Sequence, residues 1–339
     1  MLKIIILTLL LSLTLTLTGE KAAELGELSR PEMLRIDGDD LIVIQGAAVY
    51  VYSMKDFKLL KKFGKKGNGP GELNPKPRYK MQIEVVNGEI LLNNVSKMVY
   101  FTKKGDFIRE KRFPFIALQV LPLGENYVIT KSIVKESGNV VGAVLYGRDL
   151  QEAKTLYSRG YLHYKKSGRI HMLPNLVIVR QYEDKVFVFD HAGDFKIDVF
   201  DSSGKHFKKI TADVKKRKVG NDFISRTWAW AEKDVRLRET SAAMRRMAYF
   251  PEYFPVMKNY VVDGGRIYVH TYRMKGGRSE FLVLDFNGKI LKKVYLAGAD
   301  INTIEFAPYT FKDGKYIYLY ENPETENIEL HIEKMDELK

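Results

Sequence analysis

The chain has 339 residues and no cysteine, which excludes disulfides, thiolate metal sites and a lipid-modified N-terminal cysteine. Hydrophobic residues at 45% supply a sizeable core and exclude general disorder, while a formal net charge of +13 favours anionic surfaces as neighbours. Aromatic residues at 12%, almost all Tyr and Phe, favour strands.

Met1-Leu2-Lys3 leads into an apolar run, Ile4 to Thr18, and the chain turns polar at Gly19-Glu20-Lys21. A basic start, an apolar run and a small-residue exit are the parts of a secretory signal peptide. The run is short for a membrane span of ~20 residues. A signal peptide is therefore expected over residues 1–19, with cleavage after Thr18 or Gly19. Export to the periplasm or the extracellular space follows, with a retained N-terminal anchor as the rival.

From residue 20 to residue 339 the chain reads as one repeat domain. A polar turn followed by a β-rich run recurs, the runs beginning at Leu41, Ile90, Tyr127, Val186, Ile267 and Tyr316. The spacings are 49, 37, 59, 81 and 49 residues. A four-stranded propeller blade takes ~40–50 residues, so six such runs predict an all-β, six-bladed β-propeller. A second phrase follows the runs: YFTKKGDFIREK at Tyr100, VFDSSGKHFKKI at Val199 and VLDFNGKILKKV at Val283. Each copy is strand, tight turn, strand. Gly105, Gly204 and Gly288 supply the positive φ of the turn. Lys208, Lys209, Lys292 and Lys293 solubilise exposed strand edges.

Each unit reads as an inner strand, the β-rich run, and the two strands of the phrase. The last unit, ending near Ile332, is one strand short, whereas Ala22 to Arg30 is spare. An open sheet edge is an aggregation hazard. Part of Ala22 to Leu28 is therefore predicted to supply the missing outer strand and close the ring.

The 81-residue interval holds an insertion between blades four and five, Thr211 to Pro255. Ile224, Trp228, Ala231 and Val235 recur at helical spacing after a capping Asn221 or Asp222. A second helix is read over Ser241 to Ala248, ended by Pro251 and Pro255. Trp228, Trp230, Arg226, Arg236, Arg245 and Arg246 are residue types enriched at binding hot spots, and the insertion carries both Trp of the chain. These six residues are the candidate partner-binding set. The competing reading is a helical cap whose apolar stripe packs on the propeller.

FGKKGNGPGELNP at Phe63 resembles the Gly-rich inter-blade connection of NHL-type propellers, and more closely that of exported bacterial six-bladed β-propeller proteins. Tyr253 to Leu296 is similar to the penultimate unit of that family. The resemblance is strong over Asp184–Ile210 and Tyr253–Leu296 and weak over Ile116–Ser158. It departs from the family at Gln45-Gly46, where an Asp is common. It implies a propeller outside the cytoplasm and little chemistry.

Gly64, Gly67, Gly69 and Gly71 do not form a phosphate loop, because Gly69 is followed by Pro70 and not by Lys-Ser/Thr. Six histidines are scattered, at 163, 171, 191, 206, 270 and 331, with no metal-ligand spacing. His191 and His270 are the candidates for a metal in the central channel. Asp190, Asp201, Asp263 and Asp285 recur at strand ends, where Asp bonds turn backbone. No Gly-x-Ser-x-Gly elbow is present.

A fold alone does not decide function. The first reading is a non-enzymatic, monomeric binding or scaffold protein for a protein, peptide or glycan of the cell envelope. It needs no cofactor and no nucleic acid. The alternative is a metal-dependent lyase or lactonase with a divalent ion in the channel.

Overall fold

The computed structural model describes residues 19–76, 79–135, 138–160, 170–233, 238–298 and 308–335. β1 is Glu20–Glu24. The first blade follows, with β2 (Met33–Asp37), β3 (Asp40–Gln45), β4 (Ala48–Ser53) and β5 (Leu59–Phe63). The second holds β6 (Gln82–Val86), β7 (Glu89–Asn93), β8 (Lys97–Thr102) and β9 (Phe107–Arg112). The third holds β10 (Ala117–Leu123), β11 (Asn126–Lys135), β12 (Gly138–Tyr146) and β13 (Glu152–Gly160). A short β14 (Ile170–His171) precedes the fourth blade, β15 (Val177–Tyr182), β16 (Lys185–Asp190), β17 (Lys196–Phe200) and β18 (His206–Thr211). The insertion carries α1 (Asn221–Lys233), α2 (Ser241–Met247) and β19 (Ala248–Tyr249). The fifth blade is β20 (Asn259–Asp263), β21 (Arg266–Lys275), β22 (Arg278–Leu284) and β23 (Ile290–Leu296). The sixth is β24 (Tyr309–Lys312), β25 (Lys315–Glu321) and β26 (Ile328–Lys334).

The described residues form six four-stranded sheets, and each is a sequential antiparallel meander save the last, whose order is β1-β26-β25-β24. The first strands neighbour one another in a closed circuit, β2 beside β6, β6 beside β10, and so on to β24, which returns to β2. The molecule is a six-bladed propeller. All six β-rich runs picked out in the sequence are second strands, and the insertion lies between the fourth and fifth sheets. Among the described residues no helix is long and apolar enough to cross a membrane.

Side chains alternate across a strand, so each sheet offers two faces, and here both are covered by neighbours. In β3, Leu41 and Val43 pack with Ile317, Leu319 and Leu330 of blade six. The intervening Ile42 and Ile44 pack with Ile83, Ile90 and Leu92 of blade two. β16 repeats the pattern, with Phe187 and Phe189 facing blade five and Val186 and Val188 facing blade three. Burial on both faces explains why the second strands read as continuous apolar runs. The outer strands are largely exposed, as β5 and β9 show, which is why they carry the basic residues of the phrase.

The phrase turns are alike in detail. Asp285 N–H donates to Lys289 O at 3.1 Å, and Asp285 Oδ1 accepts from the amides of Asn287 (2.8 Å) and Lys289 (3.0 Å). Asp201 repeats this with Ser203 and Lys205. Thr102 does it with its hydroxyl and Asp106. Gly288 stands at φ +84°, and a methyl there would overlap the Thr211 carbonyl at the end of the preceding blade. The glycine therefore serves both the turn and the close approach of blades.

The Gly-rich connection is filled by its own acids. Glu72 Oε2 accepts from the Gly69 amide at 2.9 Å, and Glu110 Oε2 accepts from the Gly71 amide at 3.1 Å. The buried Lys97 joins the Gly69 carbonyl (2.9 Å) to Glu110 (2.5 Å). The loop thus bonds carboxylates of this chain and ties blade one to blade two.

Ring closure occurs as expected, with a shift of position. The outer strand of blade six is β1, Glu20 to Glu24, in register with Ile332 to Glu329. Leu25 and Leu28 leave the strand and are buried between blades six and one. Lys21 bridges to Glu329 at 2.9 Å.

Two outcomes are expected. Deleting Glu20 to Glu24 should lower the melting temperature by ~5 °C or more and promote aggregation, since it bares the edge of β26. Gly288→Ala should destabilise by about 2 kcal/mol or more in denaturant titrations. Gly264, also at positive φ but with open space around it, is the control. Gly264→Ala should cost only about 1 kcal/mol. Equal losses at the two sites would remove the close-approach argument.

Candidate functional site

The insertion folds as a cap with its own apolar interior. Trp228 is 5% exposed and packs with Met172 and Ala231. Phe223 and Phe254 pack with Leu173 and with Tyr272 of β21. Phe254 stacks on Tyr272 at 4.3 Å between ring centroids. Met172 and Leu173 belong to the segment before blade four, and β14 pairs in parallel with β19. The cap is thus built from two stretches of chain, one of them outside Thr211–Pro255. The surplus length of the 59-residue interval before Val186 was the sequence signal for this second stretch.

Of the five candidate binding residues that are described, the two Trp turn inward and the three Arg turn outward. Trp228 is interior and Trp230 is half-buried against the same cluster. Trp228 is therefore a packing residue, as the helical spacing of its stripe allowed. Arg226, Arg245 and Arg246 are exposed. Arg245 reaches Glu232 at 3.4 Å and lies 5.7 Å from the Trp228 ring centroid. Arg236 lies outside the described residues.

Where the cap meets blade four it leaves a cleft of about 260 Å³, lined by His171, Asn175, His191, Lys216 and Tyr253 among others. Pro251 and Pro255 bound the Tyr253 wall. Tyr253 is 41% exposed, with Lys218 Nζ 5.6 Å from its ring centroid. Tyr249 is exposed nearby, edge-on to His171 at 5.9 Å. Lys216 pairs with Asp194 at 2.8 Å.

The floor is held by a partly buried ion pair that sequence reasoning missed. Arg159 of β13 meets Asp190 of β16 at 2.7 Å, and Tyr157 donates to the same carboxylate at 2.6 Å. Arg159 also donates to Asn175 Oδ1 at 2.6 Å. Asp190 was grouped with the turn aspartates. It does accept from the Ala192 amide at 3.0 Å, but its main bonds join blade three to blade four. Only Asp201 and Asp285 bond the phrase turn. Asp263 reaches across to the Asp313 amide of blade six at 2.8 Å.

The two histidines proposed for the channel have structural surroundings. His191 Nδ1 accepts from the Leu176 amide at 3.2 Å, so Nε2 carries the proton and donates to Lys258 O at 3.2 Å. Burial pushes the His191 pKa down to about 4. His270 stacks on Phe281 at 4.6 Å, and its Nδ1 is hydrogen-bonded to the Tyr309 hydroxyl at 3.2 Å. Around the axis, Arg35, Glu84 and Arg180 share one register position, two residues before the inner hairpin. Arg35 Nη2 meets Glu84 at 2.8 Å, while Arg180 donates to Tyr260 O (2.9 Å) and Asn259 Oδ1 (2.6 Å). Among the described residues no three His, Cys, Asp or Glu side chains come together as a metal site.

Comparison with known proteins agrees with this architecture. Residues 16–157 match the model of the DUF5128 family, described as a 6-bladed beta-propeller. A member of the DUF4221 family from Bacteroides vulgatus is similar in fold, with a TM-score of 0.50 and 12% identity, over 90% of this chain and 92% of that one. BamB from Moraxella catarrhalis aligns with a TM-score of 0.37 and 11% identity, over 88% of this chain and 71% of that one. The likeness to the DUF4221 member bears on the fold alone. No curated protein matches the chain.

The His191 environment has a pH consequence. Its folded pKa lies below the unfolded value of 6.5, so neutral His191 favours the fold at high pH. That advantage is lost as pH falls from 6.5 toward 4, by about 3 kcal/mol at most. In an NMR titration, the imidazole whose signal disappears from the His191→Gln spectra should be one that stays neutral down to about pH 4. A His191 midpoint near 6.5 would contradict the assignment.

Proposed function

We propose that this chain is an exported, non-enzymatic binding protein that takes a protein or peptide segment in the cleft between its cap and blade four. One observation carries the reading. The longest interval between blades, the one that holds the insertion, builds a concave surface with exposed Tyr253, basic Lys216 and a floor at Asn175 and His191, with Tyr249 and Lys218 beside it. Exposed aromatic and basic side chains around a preformed hollow are the composition of recognition surfaces. The floor suits binding better than chemistry. Asp190 is neutralised by Arg159, and His191 uses both ring nitrogens. Export is supported by the apolar segment Ile4 to Thr18, which ends where the closing strand begins. The resemblance of the Phe63 connection to that of exported bacterial six-bladed β-propeller proteins supports the same placement.

A photo-crosslinking residue at position 253 should capture a discrete envelope protein in living cells. The same residue at Phe207, 58% exposed on the outer strand of blade four, should not. Lys216→Glu should reduce the adduct at position 253 about tenfold, as expected for loss of a hot-spot contact. Equal labelling from both positions, or an adduct indifferent to Lys216→Glu, would remove the cleft from the account. A glycan partner would leave position 253 without a protein adduct.

A further inference from the structure

The residue just before the closing strand, Gly19, sits in a socket. Glu333 of β26 is 7% exposed, and its carboxylate is held by Arg278 of β22 at 3.0 Å and 3.3 Å. Against that carboxylate lies Gly19. A methyl on Gly19 would come to 2.7 Å from Glu333 Oε1 and 2.8 Å from Cδ, and would overlap Cγ. His331 Nδ1 bonds the Gly19 carbonyl at 2.9 Å. Burial pushes the Glu333 pKa up, while Arg278, His331 and a backbone hydrogen bond from Gly19 pull it down. Gly19 is thus seated against a buried acid, where a side chain would have to displace the Glu333 carboxylate.

We propose that the Thr18–Gly19 bond is the processing site, and that the new α-ammonium of Gly19 is clamped on Glu333 and locks the ring. This rests on the export reading above. Cleavage there leaves Thr18 and Thr16, the residues that alternate with leucine at the end of the run, at the last and third-last positions of the leader. Cleavage one residue later would put Leu17 third from the end and would remove the Gly19 carbonyl that His331 holds. The step is a hydrolysis by a membrane signal peptidase. Water adds across the Thr18 C–N bond, its hydroxyl goes to the Thr18 carboxyl, and the Gly19 nitrogen leaves as an amine that is protonated in water. The peptide N–H, a single neutral donor, becomes an ammonium with three donors and a positive charge. A charge-assisted bond to a buried carboxylate is stronger than a neutral one. Closure between β1 and β26 is therefore tightened by processing, after the chain has left its leader.

The test has two arms. N-terminal sequencing of the protein recovered from the envelope should give Gly-Glu-Lys-Ala. A start at Glu20 would overturn the proposal yet leave export standing, whereas an intact leader would overturn both. In the second arm, purified chain beginning at Gly19 is melted beside chain beginning at Thr18. The Gly19 form should melt higher by about 2–5 °C, and the gap should collapse in Glu333→Gln. Should Glu333→Gln fail to fold, titration of the ¹³C-methylated α-amine replaces it. The clamp predicts a pKa clearly above the ordinary α-amino range of about 7.7–8.0. No gap in melting, or an ordinary amine pKa, would overturn the clamp whatever the cell does.

Discussion

Face-to-face packing between neighbouring sheets is the interaction on which the rest of this molecule depends. There is no central core of the usual kind. Six apolar clusters lie between adjacent blades, and each is made from alternate residues of the two sheets that flank it. A single blade has two apolar faces and can bury neither alone. The ring must therefore close before any blade is fully stable, as in other repeat architectures. Much of what is conspicuous in the sequence serves that requirement. Gly288 lets a phrase turn touch the preceding blade, Glu72 and Glu110 order the first connection, and Gly19 and Glu333 seat the closing strand.

The same dependence explains where polar residues can go. The inner strands crowd together at the axis, where Arg35, Glu84 and Arg180 are bonded to partners in adjacent blades. Buried ionic groups must be paired and hydrogen-bonded, and here the pairs also set the register between sheets. The Arg159–Asp190 pair does this between blades three and four, beneath the cap. Glu329 does it at the closure, held by Asn322, Lys21 and His331, which together take its pKa down to about 2. The proposed recognition surface lies where the repeat is interrupted, on a cap that is itself anchored to blade five through Phe254 and Tyr272.

The candidate site was only partly legible. Pattern reasoning located the insertion and its helices, because apolar residues at three- and four-residue spacing report a local property. It could not tell which aromatic residues would face out. Trp228 shares the stripe of Ala231, and both became interior once the cap folded onto Met172. Tyr253, six residues past the second helix and between two prolines, carried no periodic signal and yet stands in the cleft wall. Asp190 looks like Asp201 and Asp285 in sequence. Its role differs because Arg159, 31 residues away, is brought beside it by the packing of two blades.

What the sequence by itself determined is the repeat. Continuous apolar runs, tight Gly turns and basic outer strands are short-range consequences of burial on two faces, one face or none. They specify six units, their order, and the need for a borrowed strand. The tertiary structure alone decided which borrowed residues pair, Glu20 to Glu24 in place of a stretch reaching Leu28. It alone decided which acids meet which bases across blades, and that a second segment before blade four completes the cap. Those are contacts between residues tens to hundreds of positions apart. Local pattern holds no record of them, because they exist only after the ring has closed.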